Sequence, residues 1–154
     1  MKKKIAIGCG TIAAITVVGG ILFFVWFNSL ISDNLSKREI FDVVNDNYEI
    51  ILEDIKENDF SDTKKIEGIQ EVYVENGVAD VYCGGKGMGS ATSYYGFYYT
   101  PDDLPKDNWA GMHFGDTGNL KQDGKGFSIK YSDDDNYYYT EKIRDNFYYY
   151  EAHF

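Results

Sequence analysis

An uncharged run of 27 residues, from Ile5 to Ile31, limits what this chain can become more than any other stretch. As a helix it would extend about 40 Å, against a bilayer hydrocarbon layer of about 30 Å, so it is long enough to span with tilt. Lys2, Lys3 and Lys4 precede it, and Ser32, Asp33 and Asn34 follow it. The positive charge on the N-terminal side predicts that this end is cytoplasmic. A removable secretory signal has a shorter apolar region, followed by a small-x-small cleavage site. Phe27, Asn28, Ser29, Leu30 and Ile31 supply no such site, and Trp26 and Phe27 stand where aromatic residues meet the outer interface. The expectation is an uncleaved signal anchor: a basic cytoplasmic tip at 1–4, a single-pass transmembrane segment at 5–31 and an extracytoplasmic domain at 32–154. Ala6, Ile7, Gly8 and Cys9 loosely match a lipidation box, but the apolar stretch follows this cysteine, which is the wrong order for a removable signal.

Charge divides at the same place. All 25 acidic residues follow the run, whereas three of the 15 basic residues precede it, so the tethered part is strongly acidic. Nucleic acid is excluded as a natural partner, because affinity for phosphates rests on Lys and Arg. Basic proteins, basic surfaces and cations are the electrostatically compatible partners. The 14 tyrosines also all follow the run. Tyrosine combines apolar area with a polar tip, which suits both sheet cores and half-wet binding faces. Cys9 lies in the apolar run and Cys83 beyond it, so the two do not bridge within one chain; Cys83 reads as a small buried hydrophobe, with an intermolecular disulfide or a reactive thiol as the alternatives.

Ser36 and Glu39 fit a capping box in front of Ile40, Phe41, Val44, Tyr48, Ile51, Leu52 and Ile55, which recur at spacings of three and four. The pattern predicts one amphipathic helix of about five turns. From Ile69 the period becomes two. Asn76 and Gly77 form a two-residue hairpin signal that sets Val74 opposite Ala79 and Val72 opposite Val81, with Glu71, Glu75 and Asp80 facing water. Gly84, Gly85, Gly87 and Gly89 read as a loop, and Tyr94 to Thr100 as a strand with Gly96 a candidate bulge. In that strand both alternating sets are aromatic, so either both faces are covered or one presents an aromatic patch. After a turn at Pro101 to Pro105, further strands are expected at Trp109 to Phe114, Phe127 to Tyr131, Tyr137 to Ile143 and Phe147 to Ala152. The fold class is α+β: an N-terminal transmembrane helix, then an amphipathic helix packed on an antiparallel meander sheet of six or seven strands.

Two stretches, VYCGGKGMGSATSYYGFYYTPDDLP from Val81 to Pro105 and NYYYTEKIRDNFYYYEAHF from Asn136 to Phe154, carry a resemblance, together with the anchor and the amphipathic helix. On these the chain resembles a group of small signal-anchored membrane proteins of Gram-positive, Clostridia-like bacteria. The resemblance implies an envelope location and brings no catalytic or binding residue with it.

No motif compels a chemistry, a metal or a cofactor. A binding role for an envelope protein places the candidate contacts at Tyr94, Tyr98, Trp109, Tyr148 and Tyr150. A wall-glycan binder would use the same rings as platforms, with Asp102 and Asp103 accepting hydroxyl hydrogen bonds. A third reading is a hydrolase with Cys83 as nucleophile, His113 as base and Asp116 or Asn119 orienting it, although Cys83 starts no helix that would lower its pKa. Gly85, Gly87 and Gly89 lack the Lys-Ser/Thr ending of a phosphate loop. Asp133, Asp134 and Asp135, with Asn136 and Glu141, offer oxygen ligands but not the spacing of a calcium loop. His113 and His153 are too few for a zinc site.

Overall fold

The computed structural model describes residues 18–22, 34–75, 77–88, 91–109, 112–113, 120–130 and 136–154. Residues 18–22 are helical; the rest of the run from Ile5 to Ile31 lies outside the described residues, and among those described no helix is long and apolar enough to cross a membrane. The described residues from Asn34 to Phe154 belong to one compact unit.

The unit opens with the capping box: the Ser36 amide donates to Glu39 Oε2 at 2.7 Å, and the Glu39 amide donates to Ser36 Oγ at 3.4 Å. The helix that follows is two helices rather than the one expected, α1 at Lys37–Asp46 and α2 at Tyr48–Glu57. Asn47 interrupts them, because its side-chain Nδ2 donates to the Val43 carbonyl at 2.9 Å, a local bond that competes with the regular ladder. The apolar stripe survives the break, and Ile40, Val44 and Ile51 are fully buried. Asn58 ends α2 in the left-handed region at φ 54°. Buried Asp54 then accepts from the Thr63 amide at 2.7 Å, which fixes the short 3-10 turn Thr63–Lys65.

The main sheet is antiparallel and seven-stranded. Its strands are β1 Glu71–Glu75, β2 Val78–Met88, β3 Ala91–Tyr99, β6 Lys121–Asp123, β7 Gly126–Lys130, β8 Tyr137–Arg144 and β9 Phe147–His153, in the order β1-β2-β3-β9-β8-β7-β6. The chain is therefore not a single meander: β9 inserts between β3 and β8, and the C-terminal strand becomes the centre of the sheet. The hairpin register is the one the sequence predicts, with Val72 opposite Val81 and Val74 opposite Ala79. Trp109 to Phe114 is not one strand; Asn108–Trp109 (β4) and Met112–His113 (β5) pair as a two-stranded hairpin. Gly84, Gly85 and Gly87 of the expected loop instead lie in the second half of β2, with the register shift between Tyr82 and Gly84 rather than at Gly96; Gly89 lies outside the described residues. Gly96 pairs in register with Tyr150, and the position excludes a side chain: a Cβ there would lie 2.8 Å from the Tyr150 ring and 2.2 Å from the Val81 carbonyl.

Each face of this sheet has its own core. Against α1 and α2 pack Val81, Cys83, Phe97, Phe147 and Tyr149 with Ile40, Val44 and Ile51. On the other face Tyr98, Tyr138, Tyr148, Tyr150 and Ala152 form a second buried cluster. The Tyr98 and Tyr148 rings stack at 5.4 Å, and those of Tyr138 and Tyr150 at 6.3 Å.

Candidate functional site

The segment 101–107 lies against the tyrosine face. Tyr98 accepts from the Lys106 amide at 2.8 Å and shares a 2.8 Å bond with the Thr140 hydroxyl; Tyr148 donates to the Asp103 carbonyl at 2.8 Å. Asp80 and Asp107 are 3% and 1% exposed, and both lie near enough to Tyr138 to reinforce the effect of burial in raising its pKa. Asp80 therefore does not face water, contrary to the alternation reading, because its face is covered. Tyr98, Tyr148 and Tyr150 likewise are not exposed platforms. They are core, and burial raises the phenols of all three, that of Tyr148 to about 12. Tyr94 is half-buried, its ring 5.8 Å from that of Phe154. Trp109 lies in β4, and its side chain is outside the described residues.

Asp102 and Asp103 are the accessible members of the expected set, and both are already engaged. Asp102 accepts from Lys106 Nζ and from the Thr100 hydroxyl, which hold its carboxyl at about 2. Asp103 accepts from Lys142 Nζ at 2.6 Å and from the Asn146 amide at 2.8 Å, and these bonds lower its pKa. Asp103 thus ties the 101–107 segment to β8 and the β8–β9 turn, and Asp102 braces the segment on itself, instead of either offering a free acceptor for a sugar.

Cys83 lies in the helix-side core with no exposure, its Sγ 3.9 Å from the Val81 carbonyl. Burial pushes the thiol up, so it is neither reachable nor ionised at neutral pH, and the nucleophile role does not fit it. The side chain of His113 and residues Asp116, Asn119 and 133–135 lie outside the described residues. Glu141 accepts from Lys37 Nζ at 2.5 Å and from Tyr139 at 2.6 Å. Among the described residues no group of three or more His, Cys, Asp and Glu side chains is arranged to hold a metal ion.

A concave feature among the described residues that sequence reasoning did not single out is a groove of about 490 Å³ along α1. Leu35, Val43 and Ile66 are its apolar lining; Glu39, Asp42, Asp46 and Glu67 are its carboxylates, and among the described residues no Lys or Arg lines it. Gly68 makes the lining possible, because a Cβ there would lie 2.5 Å from Leu35 Cδ1. Glu39 has one oxygen committed to the cap, and Asp42 meets Arg38 only at 4.0 Å with both side chains largely exposed. Its size is in the range of ordinary ligand pockets, room for a few side chains, and its charge selects cations. The sequence carries the signal for its charge alone: Asp42 and Asp46 are four apart on one helix, on the polar side of the stripe.

No protein-family model matches this chain, and neither a curated protein nor a solved structure is similar to it.

Proposed function

We propose that the chain is a membrane-anchored, extracytoplasmic, non-catalytic interaction domain that binds a basic protein at the cell envelope, held by the single-pass segment at 5–31. The observation that carries this reading is the groove along α1, where four carboxylates surround Leu35, Val43 and Ile66 and, among the described residues, no basic side chain neutralises them from within. A lysine or arginine next to an apolar side chain meets both of its needs there. The acidic excess of the whole domain would draw such a partner in and raise its association rate.

The test uses the full chain in nanodiscs of uncharged lipid, titrated with the peptide Arg-Leu-Arg-Arg-Leu-Arg and with its glutamate counterpart. The arginine peptide is expected to bind, to weaken as salt rises, and to weaken further in Asp42→Asn/Asp46→Asn. Equal affinity for the two peptides, or for the variant and the parent, contradicts the reading.

A further inference from the structure

The two edges of the main sheet differ in how they end. β6 is three residues long, exposed at each of them, and begins with Lys121, a short charged edge of the kind that discourages pairing. β1 is five residues long without proline, glycine or lysine, and among the described residues no strand pairs with its outer side. Tyr73 is 42% exposed and Val74 46%. Glu75 pairs with Val78 across the two-residue turn, so the inward hydrogen bonds belong to Glu71, Tyr73 and Glu75. Alternation then directs the backbone N–H and C=O of Val72 and Val74 outward.

The sequence of β1, Glu-Val-Tyr-Val-Glu, reads the same in both directions. A second copy pairing antiparallel about Tyr73 would set Glu71 against Glu75 twice, and like charges directly opposite are destabilising. The same two carboxylates favour a strand with a basic residue at each of those positions. Its second and fourth residues would lie on the side of Val72 and Val74, where apolar β-formers extend the surface already present.

We infer that β1 is a strand-addition site that takes an extended basic segment of a partner protein, Lys or Arg at positions one and five around β-branched residues, as an eighth strand. Main-chain bonds to Val72 and Val74 supply the docking, and Glu71 and Glu75 supply the choice of partner. This rests on the reading of the domain as a binder of basic proteins but uses a different surface from the groove.

The experiment titrates the full chain in uncharged-lipid nanodiscs with the peptide Lys-Val-Thr-Val-Lys and follows hydrogen exchange over residues 71–75. Binding with slowed exchange in that segment is the expected result. Val74→Pro removes only an outward N–H, so it leaves the β1–β2 ladder intact and should weaken binding at least tenfold. Glu71→Lys/Glu75→Lys should shift preference by a similar factor to Glu-Val-Thr-Val-Glu. Binding that Val74→Pro leaves unchanged, or that protects residues 39–46 instead, overturns the strand-addition site while leaving the groove reading in place. Absence of binding also overturns it, and the arginine-peptide titration then decides the broader reading by itself.

Discussion

The two faces of the sheet are made by the same strands and closed by opposite means. The helix face is sealed by volume: Ile40, Val44 and Ile51 descend from α1 and α2 onto Val81, Phe97 and Phe147. At its rim sit Lys37, over the rings of Tyr139 and Tyr149, and Arg144, 3.4 Å from the Tyr48 ring centroid. The tyrosine face is sealed by polar closure, with phenol hydroxyls bonded to an irregular segment and two aspartates buried among them. A face sealed by volume tolerates little loss of volume, and a face sealed by hydrogen bonds tolerates little loss of a partner.

That difference can be broken from either side. Ile51→Ala should be the most costly change, about 2–5 kcal/mol in urea unfolding, because α2 stays anchored at both ends and the vacated space does not collapse. Tyr98→Phe conserves the ring and its stack on Tyr148, so by volume it should cost nothing. It strands the Lys106 amide, while the Thr140 hydroxyl loses one bond and keeps the one it donates to the Tyr149 carbonyl, and the expected loss is about 1–3 kcal/mol. A neutral Tyr98→Phe would mean that the second face is also held by volume. Ser36→Ala, which uncaps α1, should cost about 0.5–2 kcal/mol by the same measurement.

The smallest expected effect is electrostatic. Asp102 has a folded pKa of about 2, below that of an unfolded aspartate, about 3.9. Its contribution is therefore present above pH 4 and lost as pH falls toward 2, since the unfolded chain binds the proton first. Asp103 is lowered by Lys142 and Asn146 and acts in the same direction. Asp102→Asn/Asp103→Asn should flatten the stability profile between about pH 4 and 2, with little change in slope above pH 5.

The helix face was legible in the sequence because its signals are one-valued. The capping box, the three-four stripe and the Asn-Gly turn each permit one reading, and the register of β1 on β2 followed from them. The break at Asn47 was not legible, since helix periodicity runs through it and the Asn47 side-chain bond is a local choice. The tyrosine face was ambiguous for a physical reason: Tyr94 to Thr100 and Tyr137 to Tyr150 place tyrosine on both sides, and a residue with an apolar ring and a polar tip does not declare which side is dry. Asp80 was misassigned on the same ground, as alternation gives its face but not what covers that face. The insertion of β9 between β3 and β8 is a long-range pairing that no local pattern encodes. Of the candidate site, the acidic excess was visible and the groove was not. Of its apolar lining only Val43 belongs to α1; Leu35 and Ile66 are brought to that side of the helix by the fold from positions outside it.

The central claim is that the tyrosines build the fold and that the carboxylates are what the exterior offers a partner. Spectrophotometric titration of the phenols, with folding followed by circular dichroism, tests the first half most directly. Tyr82, Tyr98, Tyr137, Tyr138, Tyr139, Tyr148, Tyr149 and Tyr150 all have raised pKa values, with burial the largest cause in each. Such groups stabilise the native state below the unfolded phenol value of about 10 and cease to do so as pH rises through their folded values. The account predicts that at least these eight stay protonated above pH 10 and ionise only as the domain unfolds. Ionisation of nearly all 14 tyrosines near pH 10, with the fold intact, would contradict it.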